Sequence, residues 1–143
     1  MSAIHKEIAQ RCARRILDSE ILIYFLGNGI NIDIGAPEIR SYDDFWKEYP
    51  VFEKNKLYRA DVLSHDFCQK SPELFWYYFG KEYHTYKNMK PNECYFKMLQ
   101  IAEGLKRDNY YVFTTNYDEH VLEEGFPEDR VFEAHGNINT LQC

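Results

Sequence analysis

The sequence predicts an α/β fold, a parallel sheet with helices flanking it. Three observations carry this expectation. Short apolar runs at 21–27, 109–116 and 130–136 have the β-branched and aromatic make-up of strands. Segments with helical periodicity separate them, and strands alternating with helices favour βαβ units over a sandwich. Each run also empties into a polar loop, the side of an open α/β sheet where ligands bind.

In chain order, "MSAIHKEIAQRCARRILDSE" (1–20) sets Ile4, Ile8, Cys12 and Ile16 on one helical face. Arg11, Arg14 and Arg15 are interrupted by Glu7, Asp18 and Glu20, and no apolar block follows. The segment therefore reads as a folded amphipathic helix and not as a leader. "ILIYFLG" (21–27) is continuously apolar, as expected of a central strand buried on both faces. "SYDDFWKEY" (41–49) starts a short helix with Ser41 as N-cap. Residues 50–70 read as irregular chain with short helices. "SPELFWYYFGKEY" (71–83) has Ser71 to cap, Pro72 in the first turn and Glu73 behind it. In "KPNECYFKMLQIAEGLKRD" (90–108), Tyr95, Leu99, Ala102 and Leu105 form one stripe of a helix. "NYYVFTTN" (109–116) is a second buried strand, "YDEHVLEEG" (117–125) a short helix stopped by Gly125, and "RVFEAHG" (130–136) a third strand.

At 143 residues the chain fits one domain, and its 12 Tyr, 10 Phe and 2 Trp suit an aromatic core. A net charge of −6 argues against direct nucleic-acid binding. No run of 18 apolar residues exists to span a membrane. Cys12, Cys68, Cys94 and Cys143 show no paired spacing, so free thiols are expected, without a zinc site among themselves. With no export signal read, an intracellular setting follows, cytoplasmic or nuclear.

The stretch "YFLGNGINIDIGAPEIRS" (24–41) carries Gly27, Gly29 and Gly35 just past the first strand. Glycines there let the backbone approach a phosphate. The dinucleotide fingerprint G-x-G-x-x-G is nevertheless broken, because position 32 is Ile. On this stretch alone, a phosphate cradle and an ordinary sharp turn fit equally. "TTNYD" (114–118) and "AHG" (134–136) follow the other two strands, which would bring Asn116, Asp118, His135 and Arg40 to one sheet edge. Taken singly, Asn116 and Asp118 could equally cap the next helix, and His135 could be a turn residue.

Together these residues resemble the sirtuin family of NAD-dependent protein deacylases. The family pattern G-A-G-I-S-x-x-x-G-I-P-D-F-R-S lies over "GNGINIDIGAPEIRS" (27–41) without a gap, T-Q-N-I-D over "TTNYD", and H-G over His135–Gly136. "KPNECYFKML" (90–99) stands where the family often has P-N-x-x-H. The likeness implies a partial Rossmann-like parallel sheet, the amino-terminal portion of a sirtuin catalytic domain over 1–143, with the carboxy-terminal half and zinc ribbon missing. It implies NAD across the strand ends, its pyrophosphate on Gly27, Asn28, Gly29 and Ile30, and the loop residues Asn31, Glu38, Ile39 and Arg40 around it. Thr115 would belong to the cofactor-binding set, Asn116 would lie by the nicotinamide ribose, and Asp118 by the carboxamide. An acyl-lysine protein or peptide is the implied partner: its acyl oxygen attacks the ribose carbon as nicotinamide leaves. His135 is the implied general base on a ribose hydroxyl, a task that suits an imidazole. Cys143 corresponds to the first of four zinc-binding cysteines, and zinc is implied only where a longer chain supplies the others.

Five departures from the pattern matter. Asn28 and Asn31 replace Ala and Ser, Glu38 replaces Asp, Thr115 replaces Gln, and Ile39 replaces a Phe that in the family shields the reaction centre. Without that ring, a wetter pocket favouring plain NAD hydrolysis is expected. Two alternatives to the deacylase therefore stand: a sirtuin-like NAD glycohydrolase, in which "TTNYD" is equally at home, and a catalytically silent fragment. Unpaired strand edges where further strands would lie predict self-association. His5, His65 and His84 are expected at the surface. His120 is read as structural, and Cys12, Cys68 and Cys94 as buried small groups.

Overall fold

The computed structural model describes residues 3–105 and 109–141. The chain divides into two compact units, one of residues 1–27 and 91–137, the other of residues 28–90 and 138–143.

The first unit holds the sheet. Helix α1 (Ala3–Asp18) leads to β1 (Leu22–Leu26), and α7 (Glu93–Gly104) precedes β2 (Tyr110–Thr114). Helix α8 (His120–Glu123) and a 3₁₀ turn (Glu128–Arg130) lead to β3 (Val131–Glu133). The strands pair in parallel in the order β1-β2-β3, with Leu26 opposite Thr114 and Thr114 opposite Glu133. The ladder continues one residue past the strands, where Thr115 N donates to Leu26 O (3.1 Å) and Ala134 N to Thr114 O (2.9 Å).

One face of this sheet is covered. Tyr95, Leu99 and Ala102 of α7 are buried as the stripe requires, along with Tyr110, Val112, Val121 and Phe126, whereas Leu105, the fourth residue of the stripe, caps the helix end and is half-buried. The Tyr24 hydroxyl donates to Met98 O at 2.9 Å, and Phe126 meets Tyr24 and Tyr110 edge-on. Gly125 has φ +104°, the left-handed geometry that stops α8 as expected.

The other face corrects an expectation. Ile23, Phe25 (74% exposed), Tyr111 and Phe132 (62%) lie open to solvent, so β1 and β2 are buried on one face and not on both. Helix α1 forms where its periodicity places it, but Ile4 (70%) and Ile8 are exposed and Ile16 is half-buried. Cys12 and Cys94 are exposed and Cys68 half-buried, contrary to their reading as buried groups, although all three are free thiols. His5, His65 and His84 are exposed, as expected.

The second unit is helical. It contains α2 (Gly29–Ile32), α3 (Tyr42–Glu48), a 3₁₀ segment (Pro50–Asn55), α4 (Arg59–Val62), α5 (His65–Lys70) and α6 (Pro72–Lys87). Its core is an aromatic cluster of Phe45, Tyr49, Phe52 and Tyr78 with Val62. The Phe45 and Phe52 rings stack at 5.7 Å and Tyr49 lies 5.0 Å from Tyr78. The buried Tyr49 hydroxyl donates to Glu82, and burial together with that carboxylate pushes the Tyr49 phenol well above its usual range. Ser41 caps α3 as expected, accepting from Asp44 N while Asp44 reaches back to Ser41 N. Ser71 occupies the N-cap of α6 without a side-chain bond, and the helix runs four residues beyond the expected end at 83.

Candidate functional site

The parallel register decides what gathers at the carboxyl edge of the sheet. Because Leu26, Thr114 and Glu133 lie side by side, the segments that follow them, Gly27, Thr115–Asp118 and Ala134–Gly136, leave the same edge in adjacent positions. A Cβ added to Gly27 would sit 3.6 Å from Thr115 Oγ1, and that hydroxyl donates to Leu26 O at 3.3 Å. Thr115 thus ties the second loop to the end of β1.

Asn116 and Asp118 are both buried at this edge. Asn116 N donates to Thr114 Oγ1 (3.0 Å), and its side-chain amide donates to the Tyr95 hydroxyl (3.3 Å). Asp118 Oδ1 accepts from His120 N at 3.0 Å, and Asp118 Oδ2 lies 3.8 Å from His120 Nδ1. Burial raises the Tyr95 phenol above its usual range, and the nearby Asp118 charge adds to it. Buried polar side chains need partners, and here they find them in one another. Of the two residues, Asp118 accepts from the first backbone N–H of α8 from within a buried cluster, and Asn116 turns its amide to Tyr95.

His135 is exposed in the turn after β3. Gly136 follows with φ +69°, and its N–H donates to Glu133 O at 3.1 Å, which holds the turn. Beneath it, Glu133 accepts from the Asn137 amide at 3.1 Å, and desolvation raises the Glu133 carboxyl above its ordinary value.

The second unit carries the remaining expected residues. Asn28, Gly29, Ile30 and Asn31 form the turn into and through the one-turn helix α2. Asn31 is wholly buried; its amide donates to Asn28 Oδ1 (3.4 Å), which also accepts from the Tyr86 hydroxyl (3.3 Å). Gly35 at φ +103° closes the loop, and Ala36 N donates back to Asn31 O. Arg40 is exposed and forms an ion pair with Glu38, so both charged residues of this loop have each other as partner. Ile39 is half-buried and packs against the Phe45 cluster. Cys143 lies outside the described residues. Among the described residues no group of three or more His, Cys, Asp or Glu could hold a metal, and no helix is long and apolar enough to cross a membrane.

Residues 27–143 match the family model described as the Sir2 family. The chain belongs to that family. It is 29% identical over 138 residues to an NAD-dependent protein deacetylase of Sulfolobus acidocaldarius, covering 96% of this chain and 49% of that protein. It is 28% identical to an NAD-dependent protein deacylase of Caldanaerobacter subterraneus, covering 90% and 48%. Among solved structures, a Sir2 homologue in complex with NAD superposes with a TM-score of 0.71 at 21% identity, over 90% of this chain and 45% of that one. A sirtuin solved in a study of substrate affinity superposes at 0.66 with 26% identity, over 96% and 49%. The chain therefore spans about half the length of the Sir2 relatives it matches, and its partial parallel sheet is the expected one.

The structure sets two further residues against Asn116 and Asp118 at this edge, Tyr95 and His120. Tyr95 stood out only as a core position of α7, and His120 only as a structural residue. The available signal was Tyr95 itself, standing where the family often has a histidine, with an unassigned histidine two residues past Asp118.

Proposed function

We propose that this chain is the amino-terminal portion of a sirtuin-type NAD-dependent protein lysine deacylase, 1–143 being part of one catalytic domain. The observation that supports it most is the buried Asn116–Asp118 pair at the end of β2, with Gly27 and His135 leaving the same sheet edge on either side. The residues suit the dinucleotide: Gly27 has no Cβ where backbone must approach phosphate, and Asn116 and Asp118 offer an amide and a carboxylate held in place by neighbours. When bound, NAD supplies an electrophilic ribose carbon and nicotinamide as leaving group.

The chain's own residues then divide the work. Gly27, Asn28, Gly29 and Ile30 bind the pyrophosphate, and Asn31 fixes the loop. Glu38 and Arg40 form its charged arm, Arg40 turning to phosphate. Thr115 and Asn116 hold the nicotinamide ribose and Asp118 the carboxamide. His135, exposed to an incoming ligand, removes a proton from a ribose hydroxyl. The acyl group comes from a lysine of a protein or peptide. Zinc does not fit the described residues, none of which form a group of three or more donors; the one thiolate of Cys143 would need three further ligands, so zinc enters only with cysteines from a longer chain. The free thiols of Cys12, Cys68 and Cys94 support an intracellular setting, cytoplasmic or nuclear. The outer positions of β1 and β3 and the bare apolar sheet face support pairing with a second copy.

A second reading, NAD glycohydrolase, is favoured by Ile39. It is aliphatic where the family carries a shielding ring, and it packs into the Phe45 cluster. Nicotinamide release from NAD by the 143-residue chain, with and without an acetyl-lysine peptide and beside His135→Ala, separates the readings. Peptide-dependent release that vanishes in the variant supports the deacylase. Release without peptide supports the glycohydrolase, and no release in either arm means a silent fragment.

A further inference from the structure

Among the described residues the proposed chemistry does not use, the buried histidine is His120, 1% exposed and two residues past Asp118. It meets both oxygens of that carboxylate. Its backbone N–H donates to Oδ1 at 3.0 Å, and its ring Nδ1 stands 3.8 Å from Oδ2, within ion-pair range. One residue thus neighbours both carboxylate oxygens, holding Oδ1 by a hydrogen bond and placing its ring beside Oδ2. The ring in turn is fixed by Tyr95, whose centroid lies 6.3 Å away at 72°, an edge-to-face contact. The Tyr95 hydroxyl accepts from the Asn116 amide at 3.3 Å. One connected set, Asn116–Tyr95–His120–Asp118, therefore links the two residues assigned to the nicotinamide ribose and the carboxamide.

The backbone agrees. Glu119, between Asp118 and His120, is one of two described non-glycine residues with positive φ, at +63°. A non-glycine residue there is strained and persists only where its surroundings over-determine it. The buried residue on each side of it meets that condition.

We infer that His120 is a positioning residue which presets the Asp118 carboxylate, through Tyr95 in concert with Asn116, for recognition of the nicotinamide end of NAD. This rests on the NAD reading above. Tyr95, at the position where the family often has histidine, supplies from α7 the phenol that meets this imidazole. His120 itself touches no ligand and acts through Asp118.

The test is calorimetric titration of the 143-residue chain with NAD and, separately, with ADP-ribose, which lacks nicotinamide. His120→Leu is expected to weaken NAD about tenfold while leaving ADP-ribose within about twofold, and His120→Gln, which keeps a donor, to recover most of the loss. Asp118→Asn should show the same selective loss, and His120→Leu added to Asp118→Asn should weaken NAD no further. Equal weakening of both ligands, no weakening of NAD, or additive losses in the double variant would each overturn the inference, because a merely structural histidine behaves in those ways. Near-UV circular dichroism checks folding. If His120→Leu does not fold, the same cycle is run with His120→Gln, where a smaller selective loss absent on the Asp118→Asn background is expected and an additive loss overturns the role. Should the unaltered chain bind neither ligand, the NAD reading itself fails and this inference falls with it. Binding of both ligands without discrimination among the variants removes the inference alone.

Discussion

The side-chain oxygen of Asn28 accepts two hydrogen bonds, one from the Asn31 amide at 3.4 Å and one from the Tyr86 hydroxyl at 3.3 Å. Asn28 and Asn31 are two of the five departures from the family pattern, replacing Ala and Ser in the first loop. The departures are coupled: the added amide at 28 is directed toward 31 and Tyr86, and Asn31 is buried with that contact among its partners.

Both bonds are long, so their net contribution belongs at the low end of the usual range. A double-mutant cycle of Asn28→Ala and Asn31→Ala, read by urea unfolding, is expected to give a coupling energy of about 0.5–1 kcal/mol. Additive losses would mean that the two asparagines entered the loop independently.

The capping box of α3 gives a second expectation, with a sign in pH. The Ser41 hydroxyl donates to Asp44 Oδ2 at 2.8 Å, and Arg40 N and Ser41 N donate to the same oxygen. The Ser41 side chain first, then the Arg40 backbone, hold the Asp44 carboxyl below its ordinary value. A carboxyl lowered in the folded chain adds stability that is present above the unfolded value of about 3.9 and lost as pH falls through the folded one. Ser41→Ala should cost about 1 kcal/mol at neutral pH and flatten the loss of melting temperature below about pH 4. An unchanged acid limb would remove the carboxylate from this account.

Sequence periodicity reached the elements further than their surroundings. Ser41, Pro72 and Gly125 are local signals, and the helices they start or stop form where those residues stand. The stripe of Tyr95, Leu99 and Ala102 was legible because α7 covers the sheet within the same unit. Ile4, Ile8, Phe25 and Phe132 carry the same apolar signal, yet they lie exposed, since a pattern records what a residue is suited to cover and not whether anything covers it. At the site, motif order located Asn116, Asp118 and His135. The Tyr95–His120 pair depends on a contact between α7 and the start of α8, and no spacing rule along the chain encodes a contact across 25 positions.

Ile39 yields a third prediction. Its aliphatic side chain packs against the aromatic cluster of Phe45, Tyr49, Phe52 and Tyr78 and presents no flat ring at the position where the family shields its reaction centre. Ile39→Phe should lower nicotinamide release in the absence of peptide relative to peptide-dependent release. The half-buried setting keeps the stability cost of the larger ring at the lower end of about 1–3 kcal/mol. An unchanged ratio in a folded variant would mean that water access is not governed at this position.

The bare face of the sheet yields the last. Ile23, Phe25, Tyr111 and Phe132 stand on one side of three parallel strands, with Phe113 bridging Phe25 and Phe132 at ring separations of 5.6 and 5.5 Å. Parallel sheets are ordinarily covered on both faces, and contiguous exposed aromatics mark a surface that associates. The strand edges, β1 and β3, offer backbone groups for pairing, whereas this face offers apolar area, and the two routes respond differently to substitution. Phe25→Lys with Phe132→Glu leaves the backbone edges intact and removes the apolar patch. If the face is where two copies meet, sedimentation velocity should show the unaltered chain associating as its concentration rises, with little dependence on salt, and the double variant sedimenting as a monomer. Association that survives the double variant would instead place the contact at a strand edge. A monomer at all concentrations before any substitution would remove self-association from the reading of this chain.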